Sequence, residues 1–191
     1  LINSMSYVFD SLNIIVGEHG YKINPEDYTL YMGINTKKLK SLFKEQFDLE
    51  YSAEYLRKRT TELQIELIKK HEVPSKSLIS LLEDLKEKEV SFGIGTSSPK
   101  ERTFELLKSL GLLKYFDVIV NGDEIENHKP HPETFLKVAK FLNATPERCV
   151  VFEDSKNGIE AAKNANMRVI AIKTEFQNEK DLECADLSIN S

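Results

Sequence analysis

Cysteine is scarce in this chain: only Cys149 and Cys184 occur in 191 residues. Two thiols cannot build a disulfide framework, and both are expected as buried thiols in the core. Long apolar runs are missing too. No stretch approaches the roughly 20 residues that a membrane-spanning helix needs. No secretory signal is visible either, so no membrane partner is expected and the cytoplasm is the expected location. An excess of positive charge is also lacking. Lys and Arg number 26 against 31 Asp and Glu, a net charge of −5, which argues against a nucleic-acid partner. No internal repeat and no low-complexity segment appears. What remains is 40% hydrophobic and 30% charged residues, the composition of a soluble globular protein. The length suits one α/β core with a modest second domain.

Two textures divide the chain. Residues 4 to 72 carry helical periodicity and almost no strand signal. Met5 to His19 reads as a helix with Val8, Leu12, Ile15 and Val16 on its apolar face. Asn24-Pro25 starts a short helix, Thr36 to Phe47 a longer one, and Ser52 to Lys70 the longest. From about Val73-Pro74 helix and strand alternate. Helices are expected at Leu78–Lys88, Arg102–Leu110, Pro132–Leu142 and Lys156–Ala165. Strands are expected at Val90–Gly95, Val118–Asn121, Cys149–Phe152 and Arg168–Ile172, with a last one near Ala185–Ile189. Such alternation predicts an α/β fold with a parallel, doubly wound sheet.

Chemistry concentrates in three places at expected strand ends, where open α/β sheets bind ligands. In Cys149-Val150-Val151-Phe152-Glu153-Asp154-Ser155 a buried strand delivers two adjacent carboxylates, a hard-oxygen pair suited to Mg²⁺. Taken alone, Asp154 could as well be a cap beside a solvated Glu153. Gly95-Thr96-Ser97-Ser98 leads from a strand into a helix and can offer hydroxyls and N–H groups to a phosphate. Taken alone it could be a simple Ser/Thr cap. Lys129, between His128 and Pro130, sits in a stretch too rich in breakers for a helix. Proline disfavours the α conformation before it, which would hold Lys129 extended; in isolation it could be one more surface lysine. His128 and His131 lack a third ligand nearby and read as loop residues. Together the three places supply a hydroxyl, a cation and a carboxylate pair, a set suited to a phosphoryl group and Mg²⁺.

On these residues the chain resembles the haloacid dehalogenase superfamily. It is most similar to the helical-cap branch that includes β-phosphoglucomutases and phosphoglycolate phosphatases. The resemblance covers essentially the whole chain. It implies a Rossmann-like core, residues 1–3 and 74–191, with an inserted α-helical cap, residues 4–73. It implies hinges near Asn3-Ser4 and Glu72–Ser75. Thr96 matches the second motif, a phosphoryl-binding Ser or Thr, with Ser97 and Ser98 beside it. Lys129 in HKPHPETF matches the third-motif lysine, and Glu153 and Asp154 match the fourth-motif Mg²⁺ ligands. Met32-Gly33-Ile34-Asn35-Thr36 resembles the cap's substrate-facing loop, making Gly33, Asn35 and Thr36 candidates. In β-phosphoglucomutases that phrase carries an Arg. Here Thr36 stands there, followed by Lys37 and Lys38, and an ammonium does not replace a guanidinium fork at a phosphate. Taken alone, Thr36 reads as the N-cap of the helix Lys37 to Phe47, a role compatible with the loop.

The family's first motif, DxDG, which holds the nucleophile, is not found. The chain opens Leu1-Ile2-Asn3-Ser4-Met5, just past its expected place, and Asp10 lies within a helical pattern. The expectation is therefore an Asp-x-Asp pair upstream of Leu1, a missing first strand and a missing closing helix. The resemblance then implies a Mg²⁺-dependent phosphatase of a small phosphorylated metabolite, such as a sugar phosphate, acting as a monomer through an aspartyl phosphate. Two alternatives stand beside it: a phosphosugar mutase, and a catalytically inactive binding protein on the same fold.

Overall fold

The computed structural model describes residues 4–31, 36–71, 74–173 and 179–190. Leu1–Asn3, Gly33, Asn35, Glu72 and Val73 lie outside them, and with them most of the expected hinges and cap loop. The chain divides into two compact units, Leu1–Pro74 and Ser75–Ser191.

The first unit is helical: α1 (Ser4–Gly17), α2 (Tyr28–Tyr31) after a short 3₁₀ turn, α3 (Thr36–Phe47) and α4 (Ala53–His71). Leu12, Ile15 and Val16 recur at helical spacing on α1 and are buried together with Leu39, Leu42 and Phe43 of α3 and Leu56 and Leu63 of α4. Tyr31, Phe43, Phe47 and Tyr51 complete this core with tilted and edge-on ring contacts. Asn13 Oδ1 accepts the Ile23 N–H at 2.9 Å and ties the chain leaving α1 back onto it.

The second unit alternates helix and strand. It runs α5 (Lys76–Glu87), β1 (Gly93–Gly95), α6 (Lys100–Ser109), β2 (Val118–Val120), α7 (Glu133–Phe141), β3 (Val150–Glu153), α8 (Lys156–Asn164), β4 (Arg168–Lys173) and β5 (Leu187–Asn190). Among the described residues every strand pairing is parallel, as the alternation predicts. The strands form, among the described residues, two ladders, β1–β2 and β3–β4–β5. Helix α7 serves both. It packs on β1 and β2, while its Phe135 and Ala139 share a core with Val151, Ile159, Val169 and Ala171. The approach at β1 is close: a Cβ on Gly95 would stand 2.9 Å from Thr134 Cγ2, so only glycine fits there.

Three expectations need correction. The strand expected from Val90 pairs only from Gly93, because its partner begins at Val118, opposite Gly93. The strand expected to be buried at Cys149–Phe152 is buried on one side only. Val151 is 8% exposed under the helices, whereas Val150 and Phe152 point the other way and are 49% and 51% exposed. Neither cysteine is a buried core thiol. Cys149 is half-buried just ahead of β3, with its Sγ donating to the Thr145 carbonyl, and Cys184 is exposed in the turn before β5. Among the described residues no helix is long and apolar enough to cross a membrane.

Ile159 on α8 is fully buried in the core that α7 and α8 share. Replacing it with alanine should cost about 2–5 kcal/mol in urea unfolding of the protein. A loss below about 1 kcal/mol, the size of an average substitution, would mean that this core does not bear on global stability.

Candidate active site

The carboxyl end of β1 turns sharply at Thr96. Its N–H donates to the Val120 carbonyl at 3.0 Å, continuing the ladder by one bond. Its Oγ1 accepts the Ser98 N–H at 3.1 Å, a local Ser/Thr turn that leaves the hydroxyl proton to donate. The loop after β2 braces this turn. Gly122 N–H donates to the Ser98 carbonyl at 2.8 Å. The first residue of α6 needs a cap, and Pro99, in the cap position, has no side-chain acceptor. Asp123 supplies one across the gap, accepting the Lys100 N–H at 2.7 Å. The Asn121 N–H and side-chain amide both donate to Glu124, which lowers the Glu124 carboxyl from its ordinary value.

Lys129 is the junction of the site. Its ammonium donates to the Gly95 carbonyl at 3.3 Å, pairs closely with Glu153 Oε1, and lies 4.4 Å from the centre of the Phe135 ring. Lys129 and Glu153 are each 10% exposed. A lysine so placed is not one more surface cation. It bridges the end of β1 to the end of β3, two strands that belong to different ladders. The peptide between Lys129 and Pro130 is cis.

Glu153 ends β3 and folds back over the start of α8. Its Oε2 accepts the Asp154 N–H at 3.0 Å, the Ser155 N–H at 3.1 Å and the Ser155 hydroxyl at 3.0 Å. Ser155 Oγ in turn accepts the Gly158 N–H at 3.1 Å and caps α8, as its sequence position predicts. A Cβ at Gly158 would collide with the Glu153 carboxylate, so a larger residue there would displace that carboxylate from its present bonds. Both Glu153 oxygens are thus engaged by protein. Asp154 differs: among the described residues no other side chain donates to its carboxylate. Burial first, and then the negative charge of Glu153, push its carboxyl above the usual carboxylate range. A half-buried carboxylate beside another, with no side-chain donor of its own, is chemically suited to a hard divalent cation. Among the described residues no cluster of three or more His, Cys, Asp or Glu is poised to hold a metal, so Asp154 would be one ligand of several.

The structure therefore brings together Thr96, Lys129, Glu153 and Asp154, with Ser97 and Ser98 in the adjoining turn. His128 and His131 are exposed loop residues, and His131 Nδ1 accepts the Glu133 N–H at 3.3 Å. Thr36 opens α3 in the helical unit, whereas Gly33 and Asn35 lie outside the described residues.

Sequence reasoning missed Glu133, whose carboxylate gathers several donors. Lys137 Nζ lies at 2.9 Å, the Glu126 and Asn127 N–H groups at 3.0 and 2.9 Å, and the Asn127 side-chain amide at 3.0 Å. The Lys137 bond first, then the two backbone N–H groups, hold its carboxyl down at about 2. The available signal was an acidic residue opening a helix just after a proline-rich loop.

The parallel α/β core thus carries a hydroxyl, a buried ammonium and paired carboxylates at its strand ends. Residues 1–172 match the family model described as haloacid dehalogenase-like hydrolase, and the chain belongs to that family. The separate helical unit is consistent with the helical-cap branch. The chain is 32% identical over 170 residues to the phosphorylated carbohydrates phosphatase of Thermotoga maritima, covering 89% of this chain and 79% of that protein. It is 42% identical over 80 residues to the fructose-1-phosphate phosphatase of Escherichia coli K12, covering 42% of this chain and 43% of that protein. Among solved structures, the β-phosphoglucomutase of Clostridium difficile superposes with a TM-score of 0.76 at 25% identity, over 98% of this chain and 85% of that one.

The depressed Glu133 carboxyl makes an acid-side prediction. Ionised Glu133 contributes stability that is complete above its ordinary value of 4.5 and is lost as pH falls toward about 2. Glu133→Gln should therefore lower the urea midpoint at pH 6 more than at pH 2.5. An equal loss at both pH values would show that the charge of Glu133 contributes nothing.

Proposed function

We propose that this protein is a Mg²⁺-dependent phosphatase of a small phosphorylated metabolite, a sugar phosphate by preference. The observation that carries this reading is the Lys129 ammonium, fixed between the Gly95 carbonyl and Glu153 beside the Thr96 turn. A fixed cation with little solvent around it stabilises charge on a phosphoryl group without reorganising during the reaction. Thr96 would donate its hydroxyl proton to a phosphoryl oxygen. Asp154 would hold Mg²⁺, which supplies further charge neutralisation when bound. Glu153 would act mainly through Lys129 and the cap of α8. The covalent step of such a reaction needs an aspartate nucleophile, a role that none of these four residues is assigned. The carbohydrate phosphatases that the chain resembles support the substrate class.

A phosphosugar mutase is the second reading, favoured by the likeness to β-phosphoglucomutase structures. Thr36, standing where the resemblance places an arginine, weighs against it.

The test is hydrolysis of p-nitrophenyl phosphate and of a panel of sugar phosphates by the full-length protein. Phosphate release should require Mg²⁺ and stop with EDTA. Asp154→Asn should lower kcat by roughly 100-fold or more, yet keep or raise Tm, because it removes a desolvated charge facing Glu153. Turnover that survives both EDTA and Asp154→Asn would overturn the metal assignment. Interconversion of sugar phosphate isomers through a bisphosphate would favour the mutase.

A further inference from the structure

Lys129 lies in a loop with little hydrogen bonding of its own, a turn in which the His131 N–H donates to the His128 carbonyl. A lysine on such a loop ordinarily samples many positions, because its long side chain has several free rotors. Here the loop is held from two helices. From α8, the Asn164 side-chain amide donates to the Pro130 carbonyl at 3.0 Å. From α7, Glu133 takes the N–H groups of both Glu126 and Asn127 and the Asn127 side-chain amide. Glu133 is 17% exposed, and Lys137, one turn along α7, closes the remaining side of its carboxylate. Two residues after Glu133, Phe135 places its ring against the Lys129 ammonium. One helix start thus fixes both the backbone ahead of Lys129 and the surface on which its charge rests.

We infer that Glu133 is a positioning residue for Lys129: through the backbone of Glu126 and Asn127 it sets where the ammonium stands relative to Gly95 and Glu153. The inference rests on the reading of Lys129 as the phosphoryl-facing cation. It differs from a role in folding alone, which an acidic residue in the first turn of a helix also serves. If Glu133 acts through Lys129, removing it should change phosphate binding only while Lys129 is present.

The experiment is a double-mutant cycle on the full-length protein, with inorganic phosphate in the presence of Mg²⁺ as the probe. Glu133→Ala should weaken phosphate binding roughly 10-fold or more when Lys129 is present. In the Lys129→Ala background the same change should alter it by less than about 2-fold. Where the unmodified protein binds phosphate, equal losses in both backgrounds, or none in either, overturn the inference. A second measurement needs no phosphate. Reductive methylation read by mass spectrometry should label Lys129 about five-fold faster in Glu133→Ala, with the surface residue Lys163 unchanged. Unchanged Lys129 labelling overturns the inference whatever the turnover. A protein that neither binds phosphate nor hydrolyses esters, yet shows the labelling change, supports the positioning role and defeats the phosphatase reading. Where Glu133→Ala does not fold, Glu133→Gln takes its place in both measurements.

Discussion

The ion pair between Lys129 and Glu153 is the constraint around which the α/β unit is organised. Two charges that are each 10% exposed have lost most of their water. Such a pair holds only if the remaining hydrogen-bonding capacity is met. Here it is met on both sides. The ammonium has the Gly95 carbonyl and the Phe135 ring. The carboxylate has two backbone N–H groups and the Ser155 hydroxyl. Breaking such a pair from one side is costly, about 3–5 kcal/mol, because it strands the other charge. The pair also links the carboxyl ends of β1 and β3, which lie in different ladders among the described residues.

Several sequence details become intelligible from this pair. Gly158 is small because the Glu153 carboxylate occupies the space above the start of α8. Gly95 is small because α7, which carries Phe135, presses against the end of β1. Ser155 has two tasks, donating its hydroxyl to Glu153 and accepting the Gly158 N–H. Among the described residues no side chain donates to the Asp154 carboxylate, and burial, with the negative charge of Glu153 beside it, disfavours its ionised form.

Much of this was legible in the sequence. The apolar spacing of Leu12, Ile15 and Val16 declared α1, and helix–strand alternation declared the parallel order. Thr96, Lys129, Glu153 and Asp154 stood out as a hydroxyl, a cation and two carboxylates at strand ends, and the structure gathers the last three around one junction with the Thr96 turn adjoining. The division of labour between Glu153 and Asp154 was not legible. Adjacent carboxylates look alike in a sequence, and only their neighbours distinguish a paired one from an unanswered one. Glu133, Asp123 and Phe135 were equally hidden. Each acts on a residue whose partnership is set by folding, as when Asp123 caps a helix that begins 23 positions earlier. Nor could alternation reveal that β3 is covered on one side alone, since a run of Val150, Val151 and Phe152 is apolar on both.

By itself, then, the sequence determined which elements form and where chemistry is concentrated. Periodicity and strand-end residues are local properties, written in neighbours three or four positions apart. Tertiary structure alone decided which charges lose water together, which carboxylate is paired and which is left open, and how the Lys129 loop is held. Those outcomes depend on distances across 24 residues between Lys129 and Glu153 and 34 between Gly95 and Lys129. Charge interactions of that kind take their strength from burial, and burial is a property of the packed chain, not of any segment of it.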